Sequence, residues 1–267
     1  MHIEEIIAKV KPTDKKAAQL VQGRFDALIK PVGSLAKLET MTTRYAAITS
    51  KYTKEELTYP AQGLLVWSDF AHADYVEKIM RHQTPLNILA ESTQARIYPL
   101  VVMSETEADA YEEGMNLLQE YALGDKLQLV AFGCLATEDE LVETAMAGAM
   151  LQAAAMGIGI VLDGVATCRA AAKACELQPL VKEYLFAGHV SAEAESQQAL
   201  EQLDLEAALR LNIPDGAGEG ALVAFTLLKA GLKAYKEMET FEEAGVQIEM
   251  KEFSRKEEMH ASHWQQQ

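Results

Sequence analysis

Five short apolar runs, at 63–68 (GLLVWS), 98–103 (YPLVVM), 127–132 (LQLVAF), 158–163 (IGIVLD) and 184–189 (YLFAGH), set the strongest limit on what this chain can fold into. Most are apolar on both faces instead of alternating, as strands covered on both sides must be. Between them lie stretches with helical spacing, among them the stripe Tyr111, Met115, Leu118 and Ala122 and the alanine-rich segment 140–156. Strand and helix in alternation predict an α/β fold, a Rossmann-like parallel sheet with helices on both faces.

The ends of the chain read differently. Residues 1–50 carry no strand signal, and 221–238 (ALVAFTLLKAGLKAYKEM) reads as a long helix whose first half is apolar nearly all round and so belongs in the interior. The expected division is a small helical lobe from 1–55 and 221–252, an α/β domain over 56–220, and a polar tail over 253–267. A chain of 267 residues, 49% hydrophobic, has enough apolar surface for such a core. Its net charge of −16 would repel a phosphate backbone or an anionic bilayer, so nucleic acid and membrane are not expected partners. The three cysteines (Cys134, Cys168, Cys175) lack metal-type spacing, and the apolar runs are too short for a membrane span. The N-terminal MHIEEIIAKVK carries acids and has no apolar stretch of signal-peptide type, so a reducing cytoplasm is the expected location.

In parallel α/β sheets ligands bind outside the carboxyl ends of the strands. Several of those ends are polar here: Asp69 follows the first, Asp163 and Gly164 the fourth, and Gly188, His189 and Ser191 the fifth. The loop 214–221 (PDGAGEGA) has glycines at 216, 218 and 220 and opens the buried helix, where free amides favour an anion. Each of these also reads as a helix cap, a core histidine or a tight turn. Asp69, His72 and Asp74 invite a metal, but with no further placed ligand they read as a helix start with acids in its first turn, and no metal is expected.

The stretch 30–39 (KPVGSLAKLE) predicts a corner between two helices. Pro31 should end the first near Ile29, Gly33 can turn left-handed, and Ser34 can cap a second helix beginning at Leu35 with Leu38, Met41 and Tyr45 on its apolar stripe.

FDALIKPVGSLAKLE resembles the N-terminal signature Lys-Pro-x-Gly-Ser-Leu-Gly-x-Leu-Glu of nicotinate-nucleotide:dimethylbenzimidazole phosphoribosyltransferases, which make the lower-ligand nucleotide of cobalamin. The resemblance resumes at 145–164 (AMAGAMLQAAAMGIGIVLDG) and at 189–193 (HVSAE), and runs on to METFEEAGV at 238–246. It implies a nucleotide-binding α/β domain, a small domain from both chain ends, a homodimer, and no cofactor. It also implies a reaction between a small-molecule nucleotide and an aromatic base. A benzimidazole nitrogen attacks C1 of nicotinate mononucleotide, nicotinate leaves, and a carboxylate takes the proton from the other ring nitrogen.

On the same resemblance, Ser191 matches a phosphate-contacting serine, and Asp163, Gly164, Gly216 and Gly218 match the rim of the nucleotide site. His189 and Asp69 join the substrate-binding set, and the corner would bring Ser34 to the site wall. The family's base lies in Arg-Leu-Gly-Glu-Gly-Thr-Gly-Ala. Aligned without gaps, Pro214 stands for the arginine, Asp215 for the leucine, Ala217 for the catalytic glutamate and Glu219 for the threonine. Glu219, two residues on, is the candidate base. The family's Asp-His-Gly is Asp69-Phe70-Ala71 here, its phosphate loop is replaced by AFGCLATEDE (131–140), and much of the base-binding stretch is absent. Two readings follow: a phosphoribosyltransferase-like enzyme using Glu219, or a non-catalytic nucleotide- or partner-binding relative that has lost the catalytic glutamate.

Overall fold

All five expected strands form, and all run parallel. They are β1 (Gln62–Ser68), β2 (Arg96–Val101), β3 (Leu129–Cys134), β4 (Gly159–Leu162) and β5 (Leu185–Ala187), joined in the order β2-β1-β3-β4-β5. The computed structural model describes residues 2–214 and 216–246. β1, β3, β4 and β5 are buried at every position, whereas the edge strand β2 is only partly covered. Pro99 sits in β2, where a missing N–H on an edge strand does least harm. The strand order reverses between β1 and β3, so their carboxyl ends flank the switch point of the sheet.

The helices are α1 (Ile3–Ile7), α2 (Lys15–Ala27), α3 (Lys37–Thr49), α4 (Ala73–Met80), α5 (Pro85–Thr93), α6 (Glu107–Asp125), α7 (Glu140–Ala155), α8 (Val165–Leu177), α9 (Ser196–Gln202) and α10 (Glu219–Glu237). With right-handed crossovers, α6, α7 and α8 share one face of the sheet, while α4 and α5 lie on the other. α10 packs against α5, α3, β3 and β4 on that second face. The alanine content of α7 follows from its place: nearly every residue is buried. Glycines set its approach to α6, since a Cβ on Gly114 would stand 1.8 Å from the Ala145 carbonyl oxygen and one on Gly148 2.3 Å from that of Tyr111.

Both chain ends meet. The Ile29 N–H donates to the Glu239 carbonyl (3.0 Å) and the Phe241 N–H to that of Ala27 (3.1 Å). Arg24 ties α2 to the end of α10 through the carbonyls of Tyr235 (3.1 Å) and Met238 (3.0 Å). Apolar packing is continuous from Phe25 and Tyr45 through Phe225 and Leu228 to Leu64 and Phe132 on the strands. Residues 247–252 of the expected lobe and the expected tail 253–267 lie outside the described residues.

The 30–39 corner forms, with Gly33 left-handed at φ 71°, but its caps differ from expectation. α2 ends at Ala27, α3 begins at Lys37, and the residue before α3 is Ala36 at φ 43°; Ser34 is exposed and its N–H donates to the Pro31 carbonyl (3.1 Å). No side chain caps α3; instead Glu39, in its first turn, holds the corner. Its carboxylate accepts from Lys30 Nζ (2.8 Å), the Leu35 N–H (3.0 Å) and Gln22 Nε2 (3.2 Å). The side chains of Lys30 and Glu39 are only 6% and 4% exposed. The first and last residues of the stretch are thus a buried ion pair that clamps the corner. Burial pushes the Glu39 carboxyl up, but its bonds to Lys30, Leu35 and Gln22 outweigh this and hold it below the usual carboxylate range.

Candidate functional site

Asp163 leaves β4 directly into the interior, at 1% exposure. Its Oδ2 accepts from the Gly218 N–H (2.8 Å), its Oδ1 from the Ala221 N–H (2.8 Å), and His189 Nε2 stands 3.3 Å from Oδ1. A buried carboxylate needs such partners, and the start of α10 supplies them with its free amides and positive dipole end. His189 is itself fully buried beyond β5. The glycines of the 214–221 loop make this packing possible: Gly218 has φ 123°, and a Cβ on Gly220 would come within 2.1 Å of the His189 ring.

The same loop folds onto the end of β3. The Cys134 N–H donates to the Gly216 carbonyl (2.7 Å), and a Cβ on Gly133 would lie 1.9 Å from the Ala217 oxygen. Ala217 is 2% exposed, so the position aligned with the family glutamate is packed away. Glu219, the first residue of α10, is buried too. The Gly218 and Ala221 amides that bracket it are held by the two oxygens of Asp163. Asp215 lies outside the described residues.

Beside this clasp, Glu193 fills the start of α8. Its Oε2 accepts from the Val165 N–H (2.9 Å) and the Ser191 hydroxyl (2.9 Å), and lies where a Cβ on Gly164 would be, 2.8 Å away. The chain's own carboxylate thus occupies a place suited to an anion, and the Ser191 hydroxyl already has an acceptor. Sequence reasoning missed Glu193. Its signal was the glutamate two residues after Ser191 in HVSAE.

Asp163, Gly164, His189, Ser191, Gly216, Gly218 and Glu219 gather around the ends of β4 and β5. Asp69 stands apart at the end of β1, which pairs with β3 and not with β4. Its carboxylate accepts from the His72 N–H (3.2 Å) and lies 2.6 Å from His72 Nδ1, and that side-chain hydrogen bond holds Asp69 below the usual carboxylate range. Among the described residues no three His, Cys, Asp or Glu side chains converge as a metal site would require. Ser34 bonds only within its corner, and α3 reaches the 204–208 loop through Lys37, which pairs with Glu206 at 2.5 Å. No helix among the described residues is long and apolar enough to cross a membrane.

Residues 130–246, which include the Asp163 clasp and α10, match a family model described as phosphoribosyltransferase. The nicotinate-nucleotide–dimethylbenzimidazole phosphoribosyltransferase of Geotalea uraniireducens is 26% identical over 344 aligned positions, covering 91% of this chain and 98% of that protein. An alignment longer than this chain means that the relative has internal stretches missing here. The enzyme of the same name from Geobacter metallireducens is 46% identical over 102 residues, 38% of this chain and 29% of that one. The Thermus thermophilus structure of that name superposes with a TM-score of 0.77 at 21% identity, over 88% of this chain and 99% of that one, which establishes a shared fold. Sheet order, site and matched segment together define a phosphoribosyltransferase-like α/β protein. Over residues 130–246 the chain resembles that phosphoribosyltransferase family, and across most of its length it is a shortened, divergent likeness of the nicotinate-nucleotide–dimethylbenzimidazole phosphoribosyltransferases named above.

Proposed function

We propose that this protein transfers phosphoribose from nicotinate mononucleotide to a benzimidazole-type base, as in cobalamin lower-ligand synthesis, at the carboxyl ends of β4 and β5. The observation that carries this reading is the Asp163 clasp on the start of α10, inside the segment matched by the family model. In the reaction a ring nitrogen of the base forms the new bond to C1 of the ribose. The bond from C1 to the nicotinate nitrogen breaks, and its electron pair leaves with nicotinate. The incoming azole must then lose the proton on its other nitrogen, and we assign that proton to Glu219.

Asp163 is a positioning residue: both of its oxygens are committed to the backbone on either side of Glu219. Ser191, Gly216 and Gly218, with Gly164 and His189, form the proposed nucleotide wall, and Asp69 and Ser34 its outer edge. The active unit on this reading is a cytoplasmic homodimer, to be checked by light scattering. Conversion of nicotinate mononucleotide and dimethylbenzimidazole, followed by liquid chromatography, tests the function. Glu219→Gln should lower turnover by roughly 10² to 10⁴ while leaving nucleotide affinity nearly intact. Equal turnover in the variant would remove Glu219 from the mechanism.

A further inference from the structure

Arg44 has an environment unlike that of any other described arginine. Arg24, Arg81, Arg96 and Arg169 each meet a glutamate or aspartate, and Arg210 meets the Gln197 amide. Arg44 donates only to the Leu185 carbonyl on the open edge of β5, and lies over the Phe186 ring at 5.9 Å from its centroid. The acid whose charge acts on it, Glu183, is already engaged by the Thr13 N–H (2.7 Å) and hydroxyl (2.8 Å). Burial lowers the guanidinium's proton affinity somewhat, although an arginine stays charged. A half-buried cation without a carboxylate is unexpected in a chain of net charge −16.

A cavity of about 210 Å³ opens beside it, between α3 and the carboxyl end of β5. Met41, Phe186, Leu205 and Ala208 give it apolar walls, and Thr40 and Arg44 supply polar groups. Two carboxylates also line it, but Asp204 pairs with Lys182 and Glu206 with Lys37, and both side chains are largely exposed, at 81% and 77%. They therefore form a neutralised rim, while Arg44 remains the unneutralised charge within.

We propose that this cavity binds a small ring-bearing monocarboxylate, its carboxylate on the Arg44 guanidinium and its ring against Phe186 and Met41. A guanidinium matches a carboxylate in a two-bond fork, and its free edge supplies those donors. A cavity of about 210 Å³ has room for a single aromatic ring. A phosphate has no apolar body to place on the Met41, Phe186, Leu205 and Ala208 walls. The inference rests on the cavity alone and is independent of whether phosphoribosyl transfer occurs.

The test is a ¹H–¹⁵N NMR titration of the full chain with benzoate, with benzamide as its neutral shape match and with inorganic phosphate. Benzoate should bind in about the millimolar range and shift resonances of Thr40 to Arg44 and of Phe186. Benzamide should bind roughly ten- to a hundredfold more weakly, as should benzoate to Arg44→Gln, because a charge-assisted pair is lost. Since Arg44→Gln also gives up the bond to Leu185, the benzoate–benzamide comparison in the natural protein stands without it. Equal binding of the two ligands, tighter binding of phosphate, or shifts confined to the Asp163 clasp would each overturn the proposal.

Discussion

Replacing Glu39 by glutamine tests the clamp that closes the 30–39 corner. The side chain keeps its size and one carbonyl oxygen, so the Leu35 N–H can still find an acceptor; the bond from Gln22 Nε2 must be reversed. What cannot be replaced is the negative charge facing Lys30, whose Nζ otherwise reaches only the Pro31 carbonyl at 3.4 Å. Removing one partner of a buried pair typically costs about 3–5 kcal/mol, since the remaining charge stays desolvated. Retained hydrogen bonding places Glu39→Gln near the lower bound, at about 3 kcal/mol. Lys30→Met with Glu39→Gln removes both charges, so the double variant should be more stable than the sum of the two single changes by on the order of 2 kcal/mol.

Urea unfolding gives these differences directly. The pH dependence supplies a second check. The Glu39 carboxyl lies below its usual value when folded, so its contribution is complete above the unfolded carboxylate range and disappears as pH falls through the lowered folded value. Glu39→Gln should therefore show a flatter stability profile than the natural protein across that acid window. A Glu39→Gln loss within about 0.5 kcal/mol, or strictly additive single changes, would refute the account of the corner as an ion-pair clamp.

Three other expectations follow from the packing. Gly220→Ala places a Cβ 2.1 Å from the walled-in His189 ring, so it should lose about 3 kcal/mol in thermal unfolding; Gly33→Ala, at φ 71° in open space, should lose only ~1–2 kcal/mol, and a reversed order would contradict the packing at Asp163. Glu193→Gln keeps an acceptor for Ser191 but removes the charge at the start of α8, so calorimetry should show up to about fivefold tighter nicotinate mononucleotide binding; unchanged affinity would place the phosphate elsewhere. Burial pushes the Cys134 and Cys168 thiols up to about 12 and Cys175 to about 11, so a thiol reagent at pH 8 should react slowly with native protein and with three thiols after unfolding; a fast native reaction would contradict that burial.

Sequence alone was enough for the five parallel strands and the buried first half of α10. A strand covered on both faces must be apolar at nearly every position, and a helix lying on a sheet must be apolar on a wide face; both patterns are local. The glycine spacing in PDGAGEGA marked the site loop in the same way. The reason for that spacing is not local: Gly220 faces the ring of His189, and Gly216 faces Gly164 beyond β4. The corner is held by Glu39 and not by a Ser34 cap because Lys30, nine residues back, and Gln22, seventeen back, converge on its carboxylate, an arrangement that only tertiary contact makes. Glu193 in the anion place and Ala217 against Gly133 were hidden for the same reason. Periodicity records which face of an element is buried, but which polar groups meet there depends on how elements distant in sequence are brought together.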